Sequence, residues 1–246
     1  MTMNSTERFS DRVDNYVKYR PGYPPEMLEL FRDVLGIVPR DVVCDIGSGT
    51  GISAKVFLEN GNTVIGVEPN DAMREASIKF LAEFDRFLAV KGTAEATTLA
   101  DDSVDLIIAA QAFHWFRPAE ARQEFERIER KDARLALIWN DRLLDVDEQL
   151  LLKYGTDYAV VRLDNIKPEQ LNEIFAEDAR HVSFRNVQTL DLDGLRGRML
   201  SSSYVPNASD ERFSAMIAEL EELFAKHAEN GRIKLLYRTD VFFGPL

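Results

Sequence analysis

The chain is poor in several residue types, and each shortage excludes something. It has a single cysteine, Cys44, so no disulfide can close within it, and a reducing compartment is expected. Its three histidines, His114, His181 and His227, fall in no zinc-type His/Cys spacing, and no Gly-x-Ser-x-Gly turn is present. No metal is therefore expected. Lys and Arg total 30 against 42 Asp and Glu, a formal net charge of −12. Without a basic stripe, a sequence-independent grip on phosphate backbones is not expected, and nucleic acid is not a partner on this reading. The acidic excess reads as solubility. No apolar run is long enough to cross a bilayer, and Met1 to Ser10 lacks the apolar core of a signal peptide. The expectation is a cytoplasmic protein with no membrane partner. Repeats, low-complexity tracts and Gly/Ser-rich linkers are also missing, which points to one domain over 1–246.

What the sequence does hold is an alternation. Apolar residues at helical spacing run from Pro24 to Leu35, with prolines in the first turn and Gly36 at the end. Short β-branched runs follow at Val42–Ile46, Thr63–Val67, Phe87–Val90, Val104–Ala109 and Arg134–Trp139. Helical patterns lie between them, at about 52–59, 72–84 and 118–130. Strands alternating with helices imply a mostly parallel, doubly wound sheet, core about 36–141, with right-handed crossovers. Past Asn140 the pattern becomes helical, near 145–158, 168–176 and 210–229, with strands at Val182–Leu190 and Ile233–Phe243. These late strands are expected at the far edge of the sheet, adding an antiparallel edge strand. The N-terminal arm and helices 142–230 would form a cap over the site. Ligands of such sheets sit outside the carboxyl ends of the strands, near the switch in strand order. That places a site just after Ile46, Val67, Val90 and Ala110.

Asp45-Ile46-Gly47-Ser48-Gly49-Thr50-Gly51 follows a predicted strand and opens a predicted helix. Glycines there admit backbone angles closed to other residues and a close approach by a ligand. Glu68 ends the next strand, where a carboxylate can accept hydrogen bonds from both hydroxyls of a ribose. A glycine turn alone says little; strand, glycines, helix, strand and acid together say much more. A dinucleotide is the rival ligand, but its fingerprint spaces glycines as G-x-G-x-x-G. Here Gly47, Gly49 and Gly51 stand at alternate positions, and Asp45 would repel a pyrophosphate. A ligand with an ammonium and a sulfonium suits that carboxylate better.

These segments resemble the class I S-adenosylmethionine-dependent methyltransferases. Asp45 to Gly51 looks like their first motif and Val64 to Asn70 like their second. Gly92-Thr93-Ala94-Glu95 is similar to the segment that holds adenine. Asp105 to Phe116 looks like the fourth-strand motif and the loop beyond it. The likeness runs from about Val42 to Trp139 and is greatest to the small-molecule branch that includes ubiquinone-type and trans-aconitate methyltransferases. Tyr16-Val17-Lys18-Tyr19-Arg20-Pro21-Gly22-Tyr23-Pro24, Ser201 to Pro206 and Tyr237 to Val241 resemble flanking segments of one branch. One departure stands out: many relatives carry an acid where this chain has Thr93, so the adenine amino group would fall to Thr93 or Glu95. The Asn/Asp-Pro-Pro-aromatic motif of amino-methylating relatives is absent.

The resemblance implies a Rossmann-like methyltransferase sheet and S-adenosylmethionine as cofactor, leaving as S-adenosylhomocysteine. Its expected contacts are Arg20, Asp45, Gly47, Gly49, Gly51, Glu68, Pro69, Met73, Thr93, Ala94, Glu95 and Gln111. Asp45 has a second reading, holding the loop by accepting backbone N–H groups, and Met73 has one as core. A small-molecule acceptor would meet Tyr16, Tyr19, His114, Trp115 and Tyr204. His114 is the candidate general base for a hydroxyl acceptor, or else a residue that shapes the loop. Arg20 can meet the cofactor carboxylate or an acidic substrate. The expected activity is methyl transfer to a small molecule by a monomer or weak homodimer; the alternative is a non-catalytic or regulatory S-adenosylmethionine-binding protein. The acceptor and the atom methylated are not legible.

Overall fold

Two apolar faces alternate along the central strands. Val43, Leu106, Ile108, Ala136 and Ile138 turn to one side, and Cys44, Ile107, Ala109, Leu135, Leu137 and Trp139 to the other. Strands buried on both faces must be covered by helices on both, and this period-two pattern produces the layered architecture. The computed structural model describes residues 12–143, 148–156, 168–175 and 179–246. The polar stretch Met1 to Ser10 lies outside the described residues, as do parts of the helices expected near 145–158 and 168–176.

The elements in chain order are α1 (Val13–Tyr19), α2 (Pro25–Asp33), β1 (Val42–Ile46), α3 (Ile52–Glu59), β2 (Thr63–Val67), α4 (Asp71–Phe80), β3 (Phe87–Val90) and β4 (Val104–Ala110). Then follow α5 (Pro118–Ile128), β5 (Glu129–Arg142), α6 (Glu148–Tyr154), α7 (Pro168–Ile174), β6 (Arg180–Leu190), α8 (Leu192–Leu200), α9 (Phe213–His227) and β7 (Ile233–Gly244). The seven strands form one sheet in the order β3-β2-β1-β4-β5-β7-β6. β1 to β5 pair in parallel. β7 runs antiparallel between β5 and β6. The expected doubly wound sheet with an antiparallel strand at its far edge is therefore present, the reversed strand lying one place in from the end. The strand order switches between β1 and β4, side by side with Val43 opposite Leu106.

Met27, Phe31, Ala54 and Phe57 cover one face, with Phe31 and Phe57 edge to face at 5.0 Å. Ala121, Phe125 and Ile128 of α5 cover the other. A third apolar cluster joins α6, α8 and α9 to the first half of β7 through Leu151, Leu195, Met199, Leu220 and Tyr237. This is the helical group beside the sheet. The helix α7 stands apart from it, burying Ile174 in the cluster of α5. Among the described residues, no helix is long and apolar enough to cross a membrane.

Two helices were not anticipated. The α1 helix buries none of its residues fully, so it has no apolar stripe to read. In α8, Gly194 and Gly197 disguise the pattern, although the Asp191 side chain caps it by accepting the Gly194 N–H at 2.8 Å. Gly197 is there for packing: a Cβ on it would lie 2.1 Å from the Tyr19 ring. The arm docks on α8 through this contact, and Tyr19 offers its carbonyl to Gln188 Nε2 at 2.8 Å. We expect Gly197→Ala to destabilise the protein by about 1–3 kcal/mol through overpacking. In a Tyr19→Ala background the same change becomes neutral or stabilising by up to ~1 kcal/mol, because alanine is the better helix former. Urea denaturation of the four proteins reads the change of sign.

Candidate functional site

The sequence of turns at the carboxyl ends of β1 and β2 makes the floor of the site. Gly47 N–H and Ser48 N–H both donate to the Val67 carbonyl, at 2.8 and 3.2 Å. Gly49 N–H donates to Glu68 Oε2 at 2.9 Å and Asn70 N–H to Glu68 Oε1 at 2.8 Å. The three loop glycines have φ of +68, +55 and +87°, a region that costs side chains energy. A Cβ on Gly47 would stand 2.6 Å from Ala112 Cβ, across the switch point, and one on Gly51 would stand 2.5 Å from Leu81 Cδ1.

Above this floor lies a cleft of about 230 Å³. It is lined by Glu68, Pro69 and Met73 after β2, by Thr93, Ala94 and Glu95 after β3, and by Gln111 and Trp115 after β4, with Gly47, Gly49 and Tyr16. Eleven of the sequence-predicted residues thus converge. A smaller adjoining cavity continues past Gly47 and Gly49 to Arg20, Tyr23, Asn140 and Arg198. Gln111 holds φ at +59° while its N–H binds the Ile138 carbonyl at 2.8 Å and its Nε2 the Asn140 carbonyl at 3.1 Å. A non-glycine residue kept in that conformation at a strand end marks a position over-determined by its surroundings.

Other predicted residues take structural places. Asp45 is fully buried and does not line the cleft. Its Oδ2 accepts from Ser53 Oγ at 2.6 Å, and its carboxylate also receives the Ala54 N–H. This is the loop-holding reading, since it ties β1 to the first turn of α3. Gly51 starts α3 against Leu81 and faces away from the cleft. Tyr19 spends its ring on α8, and Tyr204 belongs to the third apolar cluster. His114 sits in the short 3₁₀ turn Phe113–Trp115, its ring 4.8 Å from that of Trp115, and lines neither cavity. Glu95 reaches the cleft, but its Oε1 already accepts the Arg117 N–H at 2.9 Å.

The site also gathers residues that sequence patterns did not single out. Arg198 lies on the unanticipated α8, and Asn140 ends the apolar run of β5. Asn140 Nδ2 donates to the Gly22 carbonyl at 3.1 Å, holding the arm at the sheet. Arg20 donates to the Ser201 carbonyl at 3.0 Å and covers the Tyr16 ring at 4.7 Å. Among the described residues, buried atoms without a partner cluster beside the loop: Arg20 Nε, Asp45 Oδ1, Ser48 Oγ and Thr50 Oγ1. In a folded protein such atoms call for a ligand or water.

Residues 44–137 match the methyltransferase domain family. An uncharacterized methyltransferase of Mycobacterium tuberculosis is 38% identical over 142 residues, 58% of this chain and 54% of that protein. The chain thus spans about half the length of that relative. An uncharacterized methyltransferase-like protein of Schizosaccharomyces pombe is 26% identical over 247 residues, 95% of this chain and 93% of that protein. A solved structure from Anaeromyxobacter dehalogenans, assigned to the type II methyltransferases, superposes with a TM-score of 0.69 at 22% identity, over 92% of this chain and 98% of its own. A likeness at that identity bears on the fold.

Burial pushes the Asp45 carboxyl up to about 7, with Glu68 adding repulsion and the Ser53 hydrogen bond opposing both. Burial raises Glu68 as well, against the N–H groups of Asn70 and Gly49. A carboxyl whose folded pKa lies above its unfolded one stabilises the fold at low pH. That stability is lost as pH rises through the folded value. We expect the ligand-free protein to lose on the order of a few kcal/mol between pH 4 and pH 8 from this source. Asp45→Asn, which keeps the Ser53 bond and removes the charge, flattens that slope. Denaturant titrations across the range measure it; an unchanged slope overturns the assignment.

Proposed function

We propose that this chain is a class I S-adenosylmethionine-dependent methyltransferase, which binds S-adenosylmethionine in the cleft and transfers its methyl group to a small molecule. The observation that carries the reading is Glu68, whose carboxylate ends β2 inside the cleft with both oxygens anchored by backbone N–H groups. Held that way, the remaining lone pairs have a fixed direction, and a ribose diol is the ligand group that donates to both oxygens.

The residues present fit the cofactor along its length. Met73 and Pro69 offer apolar surface beside Ala94, where an adenine ring would lie. Thr93 supplies the hydroxyl where relatives carry an acid. At the other end, the partnerless Arg20 Nε, Ser48 Oγ and Thr50 Oγ1 match a carboxylate and an ammonium. When bound, S-adenosylmethionine supplies a methyl group on positively charged sulfur, which departs as a neutral thioether while an acceptor lone pair forms the new bond to carbon. The chain's own task is alignment and exclusion of water. Tyr16, from the arm, lines the cleft together with Gln111 and with Trp115, which is 37% exposed. His114 lines neither cavity, so the reading does without it as a base and favours an acceptor that arrives already nucleophilic.

Calorimetric titration with S-adenosylhomocysteine tests the reading. Wild type should bind, and Glu68→Ala should weaken binding at least ~30-fold, about 2 kcal/mol for two charge-assisted hydrogen bonds. Glu68→Gln, which keeps one acceptor, should fall between. NAD should show no heat. Failure of wild type to bind S-adenosylhomocysteine would end the proposal.

A further inference from the structure

Two segments that the sequence singled out, Tyr16–Pro24 of the arm and Tyr237–Val241 of β7, meet over the far edge strand. The Gly22 carbonyl accepts Asn186 Nδ2 at 2.8 Å and Asn140 Nδ2 at 3.1 Å, which fills both of its lone pairs. Three residues earlier in the arm, the Tyr19 carbonyl accepts Gln188 Nε2 at 2.8 Å. Asn186 and Gln188 stand two apart on β6, so their side chains share one face of the sheet. Neither of them lines the cleft or the smaller cavity.

Hydroxyls of β7 aim the carboxamides. Thr239, fully buried and opposite Asn140 in the register, donates its hydroxyl to Asn140 Oδ1 at 2.5 Å. Asn186 Nδ2 reaches the same oxygen at 3.2 Å. Tyr237 Oη donates to Gln188 Oε1 at 3.3 Å. With their oxygens claimed in this way, Asn140 and Gln188 turn their amide N–H groups to the arm. The cluster also touches the cleft, since the Asn140 main-chain carbonyl accepts Gln111 Nε2 at 3.1 Å.

The α1 helix buries none of its residues fully, so apolar burial contributes little to fixing where the arm lies. Hydrogen bonds have narrow geometry and supply direction instead. Arg20 and Pro21 lie between the two carbonyls that β6 holds, and both line the smaller cavity. We propose that Asn186 and Gln188 are positioning residues for the site: from the far edge of the sheet they set the arm so that Tyr16 and Arg20 meet the bound ligand. The inference rests on the reading proposed above, in which Arg20 faces the amino-acid end of the cofactor.

The test compares two ligands by calorimetry, S-adenosylhomocysteine and 5′-methylthioadenosine, which keeps the adenosine and lacks the amino-acid end. The main variant is Asn186→Asp. It puts a further acceptor against the oxygens of Gly22 and Asn140, and Asn140 can answer it only by turning its own Nδ2 away from Gly22. S-adenosylhomocysteine should bind ~10-fold more weakly, about 1.4 kcal/mol, while methylthioadenosine, held by the floor, stays within ~2-fold. Hydrogen exchange across residues 13–23 should quicken about 10-fold. Asn186→Ala, which only removes the donor, should fall between, at ~3-fold, and carries the test if the Asp variant does not fold. An equal loss for both ligands overturns the proposal, because a loosened fold would then explain it. So does unchanged exchange across the arm, and so does faster exchange with unaltered S-adenosylhomocysteine binding. If wild type binds no S-adenosylhomocysteine, the cofactor reading fails on its own, and exchange across the arm still decides whether Asn186 holds it.

Discussion

The turn after β1 hangs from the end of β2, and the site depends on that suspension. Two N–H groups of the turn share the Val67 carbonyl, and a third reaches Glu68. Geometry this tight needs left-handed backbone at alternate residues, which explains the spacing of the glycines without appeal to any ligand. It also fixes Glu68. A carboxylate accepting two main-chain N–H groups cannot swing, so the acid is pre-oriented before anything binds. The same turn abuts Ala112 across the switch between β1 and β4. The floor of the cleft is therefore assembled from three strand ends whose relative positions the sheet sets.

Charge is distributed around the glycine loop in a way that gives a ligand direction. Carboxyl groups, Asp45 and Glu68, lie under the glycine loop, and guanidiniums, Arg20 and Arg198, lie beyond it. Burial raises the acids and lowers Arg20. The chain thus holds separated charges in a poorly solvated place, which is a cost to stability. Costs of this kind are found where a ligand with the opposite arrangement recovers them.

Much of this was legible in the sequence, for physical reasons. Val42–Ile46 and Thr63–Val67 are strands at the bounds their β-branched runs suggest, because largely buried parallel strands leave little room for polar interruption; the edge strand Phe87–Val90 also keeps its expected bounds, with Leu88 exposed. Acids and glycines at strand ends were readable, since position after a strand already implies position in the cleft. The helix α8 was not, because packing against Tyr19 demands a glycine where helix propensity disfavours one. Arg198 was lost with it. The motif could not separate ligand contacts from loop supports either. Asp45 and Gly51 stand in the same seven residues as Gly47 and Gly49, yet they face α3 and Leu81. One sequence signature serves both duties because the turn that receives a ligand must first be held.

The arm adds a constraint that local sequence does not express. Arg12 donates to the Ser202 and Val205 carbonyls, Arg20 to that of Ser201, and Gln188 to that of Tyr19. These contacts join residues more than 165 positions apart, so they carry a large loop-closure cost and no support from neighbours in the chain. The α1 helix, with no fully buried residue, adds little burial of its own. Yet Tyr16 completes the walls of both cavities and Arg20 that of the smaller one. A ligand that touches these side chains binds only the docked arm and stabilises docking by the free energy of that contact. The wall of this site is thereby coupled to its occupancy, while the floor, built into the sheet, is not.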